Sequence, residues 1–241
     1  MIAETEKIFE GSYLYYLNGQ NYSEENFTVE MIEGVNNLIY KSEILSRVDT
    51  GEFFKMKVRY EVNKFYVPQG VLIEKYLGER HTTERFVIDQ NNQTLIYTFS
   101  GDNGEHTVER PFGAKHFIMA PSFLTAALFT VSKKIESSSR TPVTFVTCPN
   151  EWEYKGPPED RTLYVQLKTH NVDDLLVNGA PLTSSKYDLF EEDSLVGAGA
   201  PAAQLWVSKH LGIPYQLEDK NGTKMTIKRM KKLKTDIEKM F

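Results

Sequence analysis

The stretch Met119-Ala-Pro-Ser-Phe-Leu-Thr-Ala-Ala-Leu-Phe-Thr-Val-Ser-Lys-Lys-Ile135 decides how the rest of the chain can fold. Its apolar residues recur at helical spacing, which predicts a helix over about residues 120–135 with one apolar face. Either Pro121 takes the first helical position or Ser122 is the N-cap. A single apolar helix in a β-rich chain has a sheet as its partner, so we expect it to pack in or over a curved sheet. The apolar face comprises Leu124, Ala127, Leu128, Val131 and Ile135, with Phe123 at its shoulder.

The residues before this helix alternate like antiparallel strands. In the clearest strand, from Phe54 to Val62, apolar and aromatic residues alternate with charged ones. This pattern is typical of a sheet with one buried face and one solvent-exposed face. Asn18-Gly19 and Asp102-Asn-Gly104 are sequences typical of tight turns. We therefore expect a strand meander over about residues 8–112.

Sheet patterning resumes after the short polar linker Ser137–Ser139. The sequence predicts closing strands over about residues 141–230 and a Lys-rich amphipathic tail helix over about residues 230–241. No boundary is visible between the two halves, so a single domain is expected over residues 1–241. The predicted fold class is mainly β: a strongly curved antiparallel sheet, or half-barrel, with one apolar helix on its concave face and a C-terminal amphipathic helix.

The amino-acid composition argues against some classes of binding partner. The 241 residues include 28 Lys and Arg against 33 Asp and Glu, a formal net charge of −5. A mildly acidic chain argues against nucleic-acid binding, which needs clustered cations. The basic run Lys228–Lys234 is the exception, and we interpret it as the solvated end of a strand and tail helix rather than a binding patch. The single cysteine, Cys148, excludes an intramolecular disulfide, and its apolar neighbours predict a buried thiol.

The sequence has no stretch of about 20 apolar residues that could span a membrane. Residues 1–8 lack the basic and apolar regions of a signal peptide. The expected location is cytoplasmic if Met1 is the native start, and periplasmic if a signal peptide has been removed.

Sequence motifs for catalysis are missing. The five histidines form no pair at metal-ligating spacing, so no metal site is predicted. There is no Gly-x-Ser-x-Gly sequence and no phosphate-binding Gly-rich loop followed by a helix. The sequence therefore assigns no catalytic residue and no cofactor, and it favours a protein that is not an enzyme.

The last strands carry a resemblance to a known family. Leu205-Trp-Val-Ser208, Gly212-Ile-Pro-Tyr215 and Asn221-Gly-Thr223 resemble the closing hairpin of bacterial envelope proteins with the β-clam fold. The order of elements is similar to that of the lipoprotein carriers LolA and LolB and of the violacein-pathway protein VioE. The resemblance implies a concave apolar groove, closed by the helix, that accepts an acyl chain or another hydrophobic molecule.

The leading hypothesis is therefore non-catalytic binding of a lipid or acyl chain between sheet and helix, without a cofactor. A cofactor-free enzyme that shapes a reactive intermediate in the same groove is one alternative, as the resemblance to VioE allows. A scaffold with a filled core is the other, and the oligomeric state stays open. The predicted ligand-binding residues are Phe123, Leu124, Ala127, Leu128 and Val131 on the helix, and Trp206 and Tyr215 on the closing hairpin.

Overall fold

The computed structural model describes residues 4–48, 51–113, 115–177, 180–191, 200–208 and 211–234. Eight strands of the first half follow one another as antiparallel neighbours. They are β1 (Thr5–Leu17), β2 (Gln20–Ile32), β3 (Leu38–Arg47), β4 (Phe53–Val62), β5 (Pro68–Leu77), β6 (Arg80–Asp89), β7 (Thr94–Gly101) and β8 (Gly104–Pro111).

Seven further strands extend the same sheet on the other side of β1, because β15 pairs with β1. They are β9 (His116–Ile118), β10 (Thr141–Thr147), β11 (Glu159–Val177), β12 (Ala180–Glu191), β13 (Ala203–Ser208), β14 (Pro214–Asp219) and β15 (Thr223–Lys232). The 15 strands run in the spatial order β8 to β1, then β15 to β9. Only the β9–β10 pair is parallel among these described strands. The predicted fold class, a mainly β chain with one large curved antiparallel sheet, is confirmed.

Turn chemistry and alternation explain why the first half folds as a meander. Asn18 and Gly19 join β1 to β2 with φ angles of 51° and 82°, the left-handed conformation that a two-residue hairpin turn needs. In β4, the buried residues Met56, Val58 and Tyr60 alternate with more exposed charged residues. We call the face that carries Tyr60 the inner face and the opposite one the outer face.

The segment of residues 119–135, here called the interior segment, is less helical than its spacing predicts. It contains a 3₁₀ turn at Phe123–Thr125 and one short helix, α1 (Phe129–Ser132). The Ser122 hydroxyl bonds the buried Glu25 carboxylate instead of capping the helix. The Thr130 hydroxyl donates to the Ala127 carbonyl at 2.8 Å, a local bond that competes with regular helix formation.

The interior segment lies against the inner face, as expected of a helix packed on the concave side of the sheet. The Phe123 ring meets the Tyr13 ring edge to face, with 4.8 Å between the centroids. The Tyr60 hydroxyl accepts a hydrogen bond from the Ile118 amide at 3.1 Å, just before the segment begins. The segment therefore fills the space that the curved sheet encloses.

The predicted tail helix is wrong in its first residues. Met230 to Lys232 belong to β15, where Met230 pairs with Gly11 and Lys232 pairs with Phe9. A strand forms here because the long first strand β1 offers these residues a free edge of backbone hydrogen bonds. Residues 235–241 of the predicted helix lie outside the described residues.

The loop of residues 148–158 between β10 and β11, here called the closing loop, brings distant parts of the sheet together. The Trp152 carbonyl accepts a hydrogen bond from the Asp102 amide at 2.9 Å. The Pro158 carbonyl accepts one from the Arg110 guanidinium on the edge strand β8 at 2.8 Å. The sheet is thus curved enough for its two ends to approach each other, as in a barrel.

Candidate functional site

Most of the predicted groove residues on the interior segment are packed into the core. Phe123 and Leu128 are each 2% exposed, and Leu124 and Ala127 are fully buried. Val131 is half-buried. Their side chains fill the inside of the curved sheet, so their predicted role in binding a ligand stays a prediction.

Trp206 and Tyr215, the two predicted ligand-binding residues on the closing hairpin, are 4% and 7% exposed, and their predicted role in binding a ligand stays a prediction. Leu205 lies in a row of paired residues that runs across β13, β14 and β15 to Tyr15 on β1. Because Tyr15 is buried on the inner face, Leu205 also faces inward. Successive residues of a strand point to opposite faces, so Trp206 lies on the outer face. There the Lys186 ammonium lies 4.3 Å from its ring centroid. Tyr215 lies on the inner side, close enough to Tyr13 that its charge would help to raise the Tyr13 pKa.

A buried carboxylate ties the interior segment to the sheet. Glu25 is 0% exposed and accepts hydrogen bonds from the Tyr15 hydroxyl, the Ser122 hydroxyl and the Phe123 amide, the last at 3.0 Å. We call this group the Glu25 clasp. Its described donors are neutral, so burial raises the Glu25 pKa although the hydrogen bonds lower it.

A second buried polar cluster joins the closing loop to the inner face of β5, β6 and β7. The Lys75 ammonium lies 2.8 Å from the Glu84 carboxylate and 3.0 Å from the Asn150 carbonyl oxygen. The Tyr97 hydroxyl donates to Glu84 at 2.9 Å and accepts from the Asn150 amide at 2.8 Å. Every member has a partner, which is the condition for a buried network to stabilise a fold.

Cys148 is half-buried and borders this cluster, in surroundings that disfavour the thiolate form. Burial raises the pKa of the Cys148 thiol, and the nearby Glu84 carboxylate raises it further. A nucleophilic thiol needs the opposite, an electropositive and partly exposed position. The expectation of a buried thiol therefore agrees with the direction of this pKa shift.

The outer face carries a cavity of about 790 Å³ that the sequence pattern did not predict. It crosses six adjacent strands, from β15 through β1 to β5, over roughly 24 Å at the usual strand spacing. Its floor follows Gly11, Phe27 and Val58, whose side chains, where present, point inward. We call this cavity the cross-strand groove.

Two rows of outer-face residues form the walls of the cross-strand groove. Both rows are continuous across the strand pairings. One row contains Lys231, Glu10, Thr28, Lys41, Arg59 and Leu72. The other contains Arg229, Asn26, Glu43, Lys57 and Glu74. The walls thus combine five cationic and three carboxylate side chains with the aliphatic stems of Lys and Arg, which can cover an apolar chain.

None of the seven predicted ligand-binding residues lines the cross-strand groove. In the sequence, the exposed residues of each strand look like ordinary solvated charges. Only the register between the strands shows that these charges form two rows. That register depends on turns and bulges, which alternation alone does not determine.

Within residues 4–48, 51–113, 115–177, 180–191, 200–208 and 211–234, no three His, Cys, Asp or Glu side chains are grouped as metal ligands. Among the same residues, no helix has the length and apolar character needed to cross a membrane.

Comparison with solved structures supports the curved, barrel-like fold. No protein-family model matches the chain, and no curated protein matches it. A solved structure described as a beta-barrel-like protein of the domain of unknown function DUF1849, from Brucella abortus, is similar with a TM-score of 0.54 and 7% identity. The match covers 96% of this chain and 98% of that one. A DUF1089 family protein from Pseudomonas aeruginosa gives a TM-score of 0.49 and 12% identity, over 81% of this chain and 88% of that one.

Proposed function

We propose that this protein binds an elongated amphiphilic molecule with an acyl-type chain, without catalysis, in the cross-strand groove. The observation that carries the proposal is the groove itself, an open cavity of about 790 Å³ across six strands. Small-molecule sites commonly measure about 300–1,000 Å³. A barrel-like fold is compatible with such a role.

The chemistry of the groove walls suits a molecule with both apolar and polar parts. Leu72, the Thr28 methyl group and the stems of Lys41 and Lys57 offer aliphatic surface. Burial contributes roughly 0.8 kcal/mol for each CH₂ group, so half-burying a dodecyl chain would contribute roughly 4 kcal/mol. Such a contribution supports weak, reversible binding, which is what a carrier needs.

The interior is the less favoured location for the same ligand. Leu124 and Leu128 already fill it with close-packed apolar contacts, and the Glu25 clasp holds their segment in place. A ligand there would first have to displace this segment and expose its apolar surface to water. A functional relationship to LolA, LolB or VioE remains part of the proposal, as does their apolar type of ligand.

A groove-filling substitution tests the proposal. Thr28 lies half-buried in the middle of the groove, and Thr28→Trp should block it while the inner face stays intact. Thr98→Trp on the outer face of β7 is the matched control, because Thr98 lies outside the groove. We expect titration calorimetry with dodecanoate to show binding to the wild type and to Thr98→Trp but not to Thr28→Trp. Equal binding by all three would contradict the proposed site.

A further inference from the structure

We infer that the ligand of the cross-strand groove is an anionic amphiphile whose head group binds at the β15 end, on Arg229 and Lys231. This inference rests on the proposed function and adds to it the ligand's charge and its direction in the groove. It draws on the basic run Lys228–Lys234, which the sequence pattern alone marks as solvated charge.

A β-bulge places the cations of this run on the groove side. The register between β1 and β15 shifts between Ser12 and Tyr13, so Lys228 is an extra residue in β15. Lys228 bonds Glu24 on the outer face at 3.2 Å, and Arg229, the next residue, also faces outward opposite Ser12. Bulges re-aim side chains in this way. In a regular pairing without the bulge, Lys228 would lie opposite Ser12, and Arg229 would lie opposite Gly11 and point inward.

The cations at the two ends of the groove differ in their local partners. Lys41 lies 2.6 Å from the Glu30 carboxylate, and Arg59 lies 3.2 Å from Glu61. Lys57 makes no ion pair with a described residue, but it stands between two carboxylates, Glu43 and Glu74, in the strand pairing. At the β15 end, the one hydrogen bond that the Arg229 side chain makes to a described residue is a 3.5 Å contact with the Asn26 side chain. Within the described part of the chain, Lys231 makes no hydrogen bond or ion pair. An anion therefore finds unneutralised cations at the β15 end.

One carboxylate that lines the groove, Glu10, faces the β15 end. Glu10 pairs with Lys231 across the strands and lines the groove, but no ion pair joins them. It reduces the positive charge there without cancelling it, because Arg229 and Lys231 together carry two charges. The Glu24 carboxylate is engaged by Lys228.

The buried Ser12 hydroxyl does not itself line the groove, but it lies beside two residues that do. Ser12 is 0% exposed, and its ladder neighbours are Arg229 on one side and Asn26 on the other. Its oxygen has no hydrogen-bond partner among the described residues, which is uncommon for a buried hydroxyl. A carboxylate or phosphate bound at Arg229 would bring acceptor oxygens into the neighbourhood of two donors, the Arg229 guanidinium and the Ser12 hydroxyl.

The opposite end of the groove sets the direction of the ligand. Leu72 lies at the β5 end, in the same wall row as Lys231. A chain that begins at the β15 cations would run across β1 to β4 and end at this apolar residue. The roughly 24 Å of groove length accommodates a long single acyl chain in extended form.

Three ligands with one chain and different head groups test the inference. Dodecanoate, dodecyl maltoside and dodecyltrimethylammonium are titrated below their critical micelle concentrations. We expect dodecanoate to bind at least about tenfold more tightly than the other two. The double variant Arg229→Gln/Lys231→Gln should lose this preference and keep its affinity for dodecyl maltoside. The control Lys220→Gln/Lys224→Gln removes the same charge outside the groove and should keep the preference.

The outcomes separate the inference from the proposed function. If all three ligands bind equally, the inference is overturned while the proposed function stands. A preference for dodecanoate that survives in Arg229→Gln/Lys231→Gln also overturns it, because the head group then binds elsewhere. If none of the three binds the wild type, the proposed function itself fails.

Discussion

The buried Lys75–Glu84 pair should be one of the most sensitive points of the fold. Its side chains are 13% and 4% exposed, and it connects the inner face of the sheet to the closing loop through Asn150. Glu84→Gln keeps the shape of the side chain and its contact with Tyr97, but it leaves the Lys75 charge buried beside neutral partners. Removing one member of a buried ion pair typically costs about 3–5 kcal/mol.

Urea unfolding followed by circular dichroism measures this loss. With a denaturant slope of about 3 kcal/mol per molar for a chain of this size, the midpoint should fall by about 1–1.7 M. The double variant Lys75→Met/Glu84→Met removes both charges, and it should be more stable than Glu84→Gln because no unpaired charge remains. The control Lys155→Gln breaks an exposed ion pair with Glu151 and should change the midpoint little.

Two results would refute the reasoning. A loss below about 1 kcal/mol in Glu84→Gln would mean that Lys75 reaches water without its partner. A loss in Lys75→Met/Glu84→Met equal to the sum of the losses in Lys75→Met and Glu84→Met, each measured alone, would mean that the two side chains are not energetically coupled.

Three further predictions concern the interior. Burial raises the Glu25 pKa above its ordinary 4.5 in the folded state, so the contribution of Glu25 to stability is full at low pH and is lost as pH rises through the folded-state pKa. Glu25→Gln should therefore flatten the pH dependence of the unfolding free energy. An unchanged pH dependence would contradict this. Leu128→Ala should lower the unfolding free energy by about 2–5 kcal/mol, measured by urea unfolding, because Leu128 is 2% exposed; Leu128→Arg should fail to fold, and a folded product would show that this position can open. Gly11→Ala should cost about 1–3 kcal/mol in the same assay, since its Cβ would lie 2.4 Å from the Arg229 carbonyl oxygen and 2.5 Å from the Phe27 ring; a neutral effect would show that β1 and β15 can separate locally.

The sequence allows the fold class to be predicted because alternation and turns are local signals. The Phe54–Val62 pattern needs only period-two burial, and Asn18-Gly19 needs only two residues with positive φ. These signals suffice for a curved antiparallel sheet. They do not give the order of strands, because the β1–β15 pairing joins residues more than 200 positions apart.

The interior segment shows where helical spacing misleads. Its apolar residues do share the inner space, as the periodicity indicates, but the regular helix is limited to Phe129–Ser132. The competing interactions are tertiary, since the Glu25 carboxylate takes the Ser122 hydroxyl and the Phe123 amide. Glu25 reads in the sequence as one more exposed charge of a strand, so nothing local predicts this contact.

The cross-strand groove could not be predicted for a similar reason. Its walls depend on which residues of six strands stand side by side, and the bulge in β15 decides that Arg229 faces outward. A one-residue slip would move each side chain to the other face. Whether the basic run Lys228–Lys234 is solvated charge or a binding patch therefore depends on how it pairs with β1. Only the folded chain determines that pairing.

A crystal structure of the protein with dodecanoate tests the central claim most directly, because it locates the bound chain. The account predicts an acyl chain in the cross-strand groove, between Leu72 and the β15 end, with its carboxylate within hydrogen-bond distance of Arg229 or Lys231. A chain found inside the sheet against Leu128, with the interior segment displaced, would contradict the account and would return the site to the core side of the sheet.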